Sequence, residues 1–103
     1  MKILALEHDC PVDAMKENAS ATTQQYTALL KAEAKHTWEL YQAGTLRELY
    51  FRQDQHSAVL ILECGDLQQA EAVLQSLPLV QAGQIQFEVM VLEPYPGFGR
   101  LFS

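Results

Sequence analysis

The longest unbroken apolar stretch of this chain runs from Ala58 to Leu62 and reads Ala-Val-Leu-Ile-Leu. A helix that crosses a bilayer needs about 20 apolar residues, so this stretch is far too short to span a membrane. Its length and its branched side chains fit a β-strand. Because successive side chains of a strand point to opposite faces, a wholly apolar strand must be covered on both sides.

The other periodic segments predict how this strand is embedded. The predicted strands span residues 2–8, 45–52, 57–64 and 85–92, a loop spans residues 9–22, and the predicted helices span residues 22–43 and 66–77. Thr22 and Asp66 are the predicted N-caps, Gly44 is the predicted stop of the first helix, and Pro78 that of the second. The order β-α-β-β-α-β predicts an α+β, ferredoxin-like fold with a four-stranded antiparallel sheet, in a single domain over residues 1–103.

The predicted fold places both helices on one face of the sheet, which leaves the other face uncovered in a monomer. The strands are too apolar for a face in contact with water, so we expect a homodimer in which two sheets pack face to face. The tail of residues 94–103 is also too apolar to stand free in solution, and we expect it to pack on the partner subunit through Tyr95, Phe98, Leu101 and Phe102. Whether such dimers assemble further stays open.

The charge balance predicts which partners the chain lacks. Seven basic residues against 13 acidic residues give a net charge of −6, with no cluster of Lys or Arg. Nucleic acids and anionic membranes attract such clusters, so we expect neither as a partner. The strand-like start Lys2–Leu6 lacks a cleavable signal pattern, which predicts a cytoplasmic location.

Several kinds of site are missing from the sequence. Cys10 and Cys64 lack metal-ligand spacing and are predicted free thiols. Phosphate-binding glycine loops, the nucleophile elbow of serine hydrolases and the zinc motif HExxH are absent. We therefore expect chemistry that needs no metal and no cofactor.

Glu33 is the strongest candidate for a functional residue. On a helical wheel it falls inside one continuous apolar stripe, formed by Tyr26, Leu29, Leu30, Ala34, Thr37, Leu40 and Tyr41. A carboxylate that faces the core must find a partner, become neutral or line a wet pocket. Glu33 is therefore predicted to be a general base, with a structural ion pair to Arg47 or Arg52 as the alternative.

Four further side chains are candidates for polar roles. Arg47 shares a strand face with apolar residues, where it could bind a substrate carboxylate or stabilise an enolate oxygen, or simply pair with Glu33. His8 and Asp9 end the first strand and form an acid/base pair if the strand breaks there. His36 follows Glu33 by three residues and could share its ligand. For both histidines, a solvated position at the rim or flank is the alternative.

Aromatic residues are predicted to build the wall of the pocket. Trp38 is predicted to form part of the substrate-binding wall, and Tyr26 and Tyr50 are candidates for donating a hydrogen bond from the wall to a ligand. We expect the pocket between the first helix and the sheet, and expect it to be small and mostly apolar.

Short motifs in the chain resemble known families. Leu30–Glu33, Gly44–Arg47 with Leu49, and Leu77–Leu79 resemble the muconolactone isomerase family, while Pro94–Phe98 resembles the ending of YCII-related proteins. Both groups belong to the dimeric α/β-barrel superfamily, so the resemblance implies the fold argued above and a homodimer. It also implies a small cofactor-free isomerase, and the YCII-related proteins draw attention to a His-Asp pair near the end of the first strand.

Together these observations predict an isomerase or lyase that abstracts a proton next to the carbonyl of a small lactone or carbonyl compound. Glu33 would move the proton and Arg47 would hold the enolate or carboxylate. Two alternatives stay open: a non-catalytic homodimer that binds a small molecule or serves as an accessory subunit, and a structural role in which Glu33 and Arg47 are paired in a dry core.

Overall fold

A computed structural model describes residues 1–9 and 23–103. The strands are β1 (Lys2–Asp9), β2 (Leu46–Phe51), β3 (Ala58–Glu63) and β4 (Ile85–Val91), and the helices are α1 (Thr23–Gln42), α2 (Leu67–Gln75) and the short α3 (Pro78–Gln81), followed by a 3-10 helix over Pro96–Phe102. The predicted cap at Thr22, the loop of residues 10–22 and Cys10 lie outside the described residues.

The four strands form one sheet in the order β2-β3-β1-β4, and every neighbouring pair is antiparallel. This order is that of the ferredoxin-like fold, so the predicted fold class is confirmed. In the middle of the sheet Ala5 lies opposite Leu60 on one side and Val89 on the other. These three residues point toward the helices because side chains directly opposite each other share a face.

The core lies between this face of the sheet and the helices α2 and α3. It consists of ten buried residues, namely Ile3, Ala5, Leu46, Ala58, Leu60, Leu62, Cys64, Ala70, Leu74 and Leu77. Complete burial of one large aliphatic side chain contributes about 1.5–3 kcal/mol, so these contacts fix α2 on the sheet. Among the described residues no charged side chain is fully buried. Glu33 is half-buried and lies beside this core, not inside it.

Among residues 1–9 and 23–103, the helices cover only one face of the sheet, and no described element covers the opposite face. Leu4, Leu6, Val59 and Ile61 lie on it and are all half-buried. The homodimer expected from these strands stays a prediction.

The predicted helix boundaries hold where capping residues mark them. Gly44 has a φ of 83°, its N–H donates to Tyr41 O over 3.2 Å, and the Thr45 N–H donates to Leu40 O over 3.1 Å. These two bonds form a Schellman motif, which requires a left-handed residue at this position. At the start of α2 the Asp66 side chain accepts from the Gln69 N–H at 2.7 Å, as its N-cap role predicts.

Two elements differ from the prediction. The second helix stops at Gln75, two residues before its predicted end, and Pro78 begins the four-residue α3 instead of merely ending α2. Proline suits the first turn of a helix because it has no N–H to leave unpaired there. The tail forms a 3-10 helix, for which its Pro, Gly and aromatic residues gave no periodic signal.

Strand β2 carries a β-bulge. Leu46 lies opposite Leu62 and Glu48 lies opposite Ile61, so Arg47 is the extra residue without a partner on β3. A bulge bends the strand locally and redirects the side chain at the extra position. The sequence did not indicate it.

Within the described residues, no helix has the length and the apolar character needed to cross a membrane.

Candidate functional site

A cavity of about 1220 Å³ lies between α1 and the helix-facing side of the sheet. Its wall on one side is α1, its floor is formed by β2, β3 and the adjoining ends of β1 and β4, and α3 closes one end. The apolar residues that line it include Leu30, Leu49, Phe51, Ala58, Leu60, Leu77 and Phe87. The predicted location is therefore correct, whereas the predicted small size is wrong.

Glu33 lines this cavity and is held by a backbone amide. One of its carboxylate oxygens accepts a hydrogen bond from the Leu79 N–H at 3.0 Å. Leu79 lies in the first turn of α3, whose N-cap residue Leu77 offers no side-chain acceptor. Glu33 on α1 thus supplies the acceptor that the start of α3 lacks.

The alternative of a structural ion pair for Glu33 is not what the structure contains. No ion pair joins Glu33 to Arg47 or to Arg52, and Arg52 instead binds Asp54 through two hydrogen bonds. The dry-core reading is also wrong, because Glu33 and Arg47 both line the cavity. A carboxylate that receives a backbone N–H does not require a cation to be stabilised.

Arg47 borders the cavity as the exposed bulge residue of β2. It is the only lysine or arginine among the described residues that line the cavity. Its guanidinium presents a rigid fork of donors that can bind a carboxylate or a developing enolate oxygen.

The floor of the cavity carries two further carboxylates. Asp9 was predicted as a site residue and lines the cavity, whereas Glu7 was not among the predicted site residues and lines it as well. The Glu7 carboxylate accepts from the Ala58 N–H at 3.0 Å, which ties β1 to the start of β3. The alternation of β1 was the available signal, since it places Glu7 on the same face as the core residues Ile3 and Ala5.

The two histidines predicted as site residues do not line the cavity. His8 points to the opposite face of the sheet, where its Nε2 lies 2.9 Å from a Glu88 carboxylate oxygen. Because β1 continues unbroken through Asp9, adjacent His8 and Asp9 face opposite sides and do not pair.

His36 connects α1 to the end of α2. Its Nε2 lies 2.7 Å from Ser76 Oγ, and its Nδ1 lies 3.8 Å from a Glu39 carboxylate oxygen. The Ser76 hydroxyl donates its only proton to Val73 O, so the Nε2–H of His36 is the donor to Ser76. His36 therefore holds two helices together instead of sharing a ligand with Glu33.

Aromatic side chains build much of the outer wall. Tyr26, Trp38 and Tyr41 on α1 line the cavity, and the rings of Trp38 and Tyr41 stack with their centroids 6.0 Å apart. On the floor side, the ring of Phe51 stacks on His56 at 4.3 Å. His56, which was not among the predicted site residues, is the one histidine of the described residues that borders the cavity.

Tyr50 borders the cavity only along the edge strand. Its position opposite Val59 places its side chain on the uncovered face, and its hydroxyl donates to Glu48 at 2.8 Å. This hydrogen bond, with the nearby negative charge, raises the pKa of Tyr50 above its ordinary value. Tyr50 is therefore directed toward Glu48, not toward a ligand in the cavity.

The arrangement as a whole combines an apolar and aromatic enclosure with carboxylates and one guanidinium. Such a cavity can bind a small planar compound, take a proton from it and balance negative charge on its oxygens. No group of three or more potential metal ligands occurs in the described part of the chain.

Comparisons with solved structures return the same fold. A muconolactone isomerase crystal structure superposes with a TM-score of 0.73 at 21% identity, covering 93% of this chain and 92% of the other. A 5-chloro-2-hydroxyhydroquinone dehydrochlorinase from Burkholderia phenoliruptrix AC1100, in complex with 2,5-dihydroxybenzoquinone, superposes with a TM-score of 0.60 at 15% identity, covering 94% and 98%. No functionally curated protein sequence matches this chain.

A family model provides the assignment that these distant structures do not. The model for muconolactone delta-isomerase matches residues 12–97, which is most of the 103-residue chain. The matched range contains α1 with Glu33, the bulge at Arg47 and the amide of Leu79. This chain belongs to the muconolactone delta-isomerase family.

Proposed function

We propose that this protein is a cofactor-independent isomerase or lyase that moves a proton next to the carbonyl of a small lactone or carbonyl compound. The observation that carries the proposal is one cavity lined by both Glu33 and Arg47. Family membership supports the isomerase class. The structurally similar dehydrochlorinase supports a substrate of similar size, since its structure holds the small ring compound 2,5-dihydroxybenzoquinone.

Glu33 is the proposed base. Its carboxylate would take a proton from the carbon next to the carbonyl, and the electron pair of that C–H bond would move onto the carbonyl oxygen as an enolate. The hydrogen bond from the Leu79 amide fixes one carboxylate oxygen, which orients the group on α1. The protonated Glu33 would then return the proton to a different carbon, so that the substrate is rearranged without net loss of atoms. In a lyase, expulsion of a leaving group would replace that return.

Arg47 is the proposed stabiliser of negative charge. As the only lysine or arginine lining the cavity in the described residues, it offers a matching charge for an enolate oxygen or a substrate carboxylate. Asp9 is a proposed second proton carrier at the end of β1, because it lines the same cavity.

Hydrogen exchange in heavy water tests the base directly. The protein is incubated in D₂O with muconolactone, and loss of the proton signal next to the carbonyl is followed by NMR. Glu33→Gln keeps the size of the side chain and an oxygen that can accept from Leu79, so the fold should persist while exchange falls by about 10²–10⁴-fold. Glu71→Gln, an exposed change on α2, is the matched control and should exchange like the unaltered protein. Retained exchange in a folded Glu33→Gln protein would rule out Glu33 as the base.

A non-catalytic binding protein is the second candidate. It is favoured by the hydrogen bond between Glu33 and Leu79, which gives the carboxylate a structural use without any reaction. Calorimetric titration of muconolactone into the unaltered protein distinguishes the two candidates. Saturable binding with no deuterium exchange selects the binding protein, and binding with exchange selects the enzyme.

We also propose that the chain works as a homodimer. The support is the uncovered face of the sheet, where apolar side chains of β1 and β3 stay half-buried. Two such faces packed together would remove these side chains from water and leave the two cavities on the outer sides of the pair. The cytoplasmic location stays a prediction from the sequence.

A further inference from the structure

The C-terminal tail, defined as residues 95–102, presents large apolar side chains that remain exposed in the described part of the chain. Tyr95, Phe98, Leu101 and Phe102 are 65%, 66%, 76% and 86% exposed. The tail makes at most marginal contact with the strands and helices of the same chain. Four such side chains within eight residues are typical of a binding segment, because a monomer rarely leaves a contiguous apolar group in water.

The tail makes specific contacts within itself. The rings of Tyr95 and Phe98 meet edge to face, with centroids 5.0 Å apart and planes at 86°. Gly97 is buried beneath the Tyr95 ring, and a Cβ at this position would collide with that ring. A segment that is ordered before it binds loses less conformational entropy on binding.

The cavity of the same chain is at the wrong end of the sheet for this tail. β4 contributes to the cavity only through Ile85 and Phe87, at its beginning, whereas the tail follows its last residue, Val91. The seven residues of β4 span about 20 Å. No residue after Phe87 lines the cavity.

The cavity wall has the apolar surface that matches the tail. Tyr26, Leu30, Trp38 and Tyr41 on α1 are each between 42% and 57% exposed although they line the cavity. The apolar residues of the uncovered sheet face, such as Leu4 and Ile61, are less exposed. The α1 side of the cavity is therefore an exposed apolar surface that the tail of a second copy could cover.

The charges of the two surfaces are complementary. The cavity is lined by Glu7, Asp9 and Glu33 against the single guanidinium of Arg47, a net charge of −2 when all four are ionised. Within residues 95–102 the only charged side chain is Arg100. In the described part of the chain Arg100 has no ion-pair partner.

We propose that the tail of one copy of this chain docks on the cavity of a second copy. The aromatic side chains of the tail would cover the exposed wall of α1, and Arg100 would lie near the cavity carboxylates of the other subunit. Each cavity would then be closed by its neighbour, which reduces its opening and excludes water from the polar groups inside. The inference uses the cavity as a binding site but does not depend on the reaction proposed for it.

Disulfide trapping between two different chains tests the docking without any turnover. In a background of Cys10→Ser and Cys64→Ala, one chain carries Leu101→Cys and a second chain of different mass carries Leu30→Cys. Oxidation of the mixture should yield the mixed disulfide. In the matched control, the second chain carries Ile61→Cys, on the uncovered sheet face, in place of Leu30→Cys. This pair should yield at least about 10-fold less mixed disulfide, because the apolar side chains of the tail bind only the cavity wall.

Three outcomes would overturn the proposal. A preferred disulfide with Ile61→Cys would place the tail on the sheet face. An internal disulfide in a chain that carries both Leu30→Cys and Leu101→Cys would show that the tail folds back on its own cavity. Equal, low yields for all pairs in folded proteins would show that the tail docks on neither surface.

A pair of glycine substitutions tests whether the ordered tail is the docking element. Gly97→Ala must displace the Tyr95 ring, whereas the space around Gly99 has no atom within 4 Å of an added Cβ. In the trapping experiment Gly97→Ala should lower the yield with Leu30→Cys at least about 10-fold, and Gly99→Ala should leave it within about twofold. Equal yields would mean that the tail conformation does not matter for docking and would overturn this part of the proposal.

Discussion

Glu33 lines the cavity and, with the same carboxylate, accepts the Leu79 amide at the start of α3. The sequence predicted the unusual position of this residue correctly, since a charge within an apolar stripe needs a partner. The alternative to a general base was an ion pair with Arg47 or Arg52, and the described residues contain a backbone amide as the partner instead. Which backbone amide lacks an acceptor depends on where a four-residue helix begins, and local sequence pattern does not indicate that.

Removing the Glu33 side chain should destabilise the protein through this hydrogen bond. In Glu33→Ala the Leu79 N–H loses its acceptor, and loss of a helix-capping bond of this kind costs about 1 kcal/mol. Glu33→Gln retains an acceptor oxygen and should lose less than half as much. Urea unfolding measures both free energies, with Glu71→Ala as the exposed control. Equal losses in Glu33→Ala and Glu71→Ala would contradict a capping role.

The pair formed by Tyr50 and Glu48 makes a prediction about pH. The Glu48 carboxylate accepts from the Tyr50 hydroxyl and raises the pKa of Tyr50 above its ordinary value of 10.0. A raised pKa means that the folded protein holds the phenol proton more tightly, so the interaction is complete below pH 10 and is lost as the pH rises through the raised pKa. Glu48→Gln should bring the pKa of Tyr50 back toward 10.0, measured by NMR titration of the labelled ring. An unchanged midpoint would show that Glu48 does not hold this proton.

At the level of elements, the predicted boundaries agree with the structure to within a few residues because caps and stops mark them. Gly44 and Asp66 each act as their residue type predicts. The elements that were missed are those with little or no periodic signal: the four-residue α3, the 3-10 helix of the tail and the bulge at Arg47. A single extra residue does not change the alternation enough to be recognised without the partner strand.

Deleting Arg47 should leave the sheet intact because this residue is the extra one in the ladder. Leu46 and Glu48 already lie opposite successive residues of β3, so the deletion restores regular pairing without moving Leu49 to the other face. We expect a folded protein whose free energy of unfolding lies within about 2 kcal/mol of that of the unaltered chain, an ordinary cost for one change. The deletion also removes the guanidinium of Arg47 from the cavity.

The matched control for this experiment is a deletion in the central strand. Val59 lies opposite Tyr50 on β2 and Leu6 on β1, so its deletion reverses the faces of part of β3 and should prevent folding. Circular dichroism and thermal melting distinguish the two proteins. A deletion of Arg47 that unfolds the chain as completely would contradict the description of this residue as a tolerated bulge.

At the level of the whole molecule, the order of periodic segments was sufficient to predict the fold, because few topologies join β-α-β-β-α-β with short connections. The predicted cavity between the first helix and the sheet is present, but its volume of about 1220 Å³ was not foreseen. Tyr26, Trp38 and Tyr41 line the cavity from α1 and stay between 45% and 57% exposed. A helical wheel shows which side of a helix a residue occupies, but it does not show how far the side chain is buried.

The uncovered face of the sheet leads to the last prediction. Val59 and Ile61 point away from the helices, on the same side as Leu4 and Leu6, and a face-to-face dimer would bury all four. Ile61→Glu would place an unpaired carboxylate in that interface, and desolvating such a charge costs several kcal/mol, which is enough to dissociate an ordinary dimer.

Sedimentation velocity should therefore show a dimer for the unaltered protein and a folded monomer for Ile61→Glu. Ala32→Glu adds the same charge on the exposed side of α1 and should remain dimeric, which separates the local effect from the change in net charge. Because the cavity lies on the other side of the sheet from Ile61, the monomer should still bind a small ligand, although its cavity would lack any cover from a neighbour. A dimer that persists in Ile61→Glu would mean that copies of this chain associate through a different surface, and the exposed tail would then be the first segment to examine.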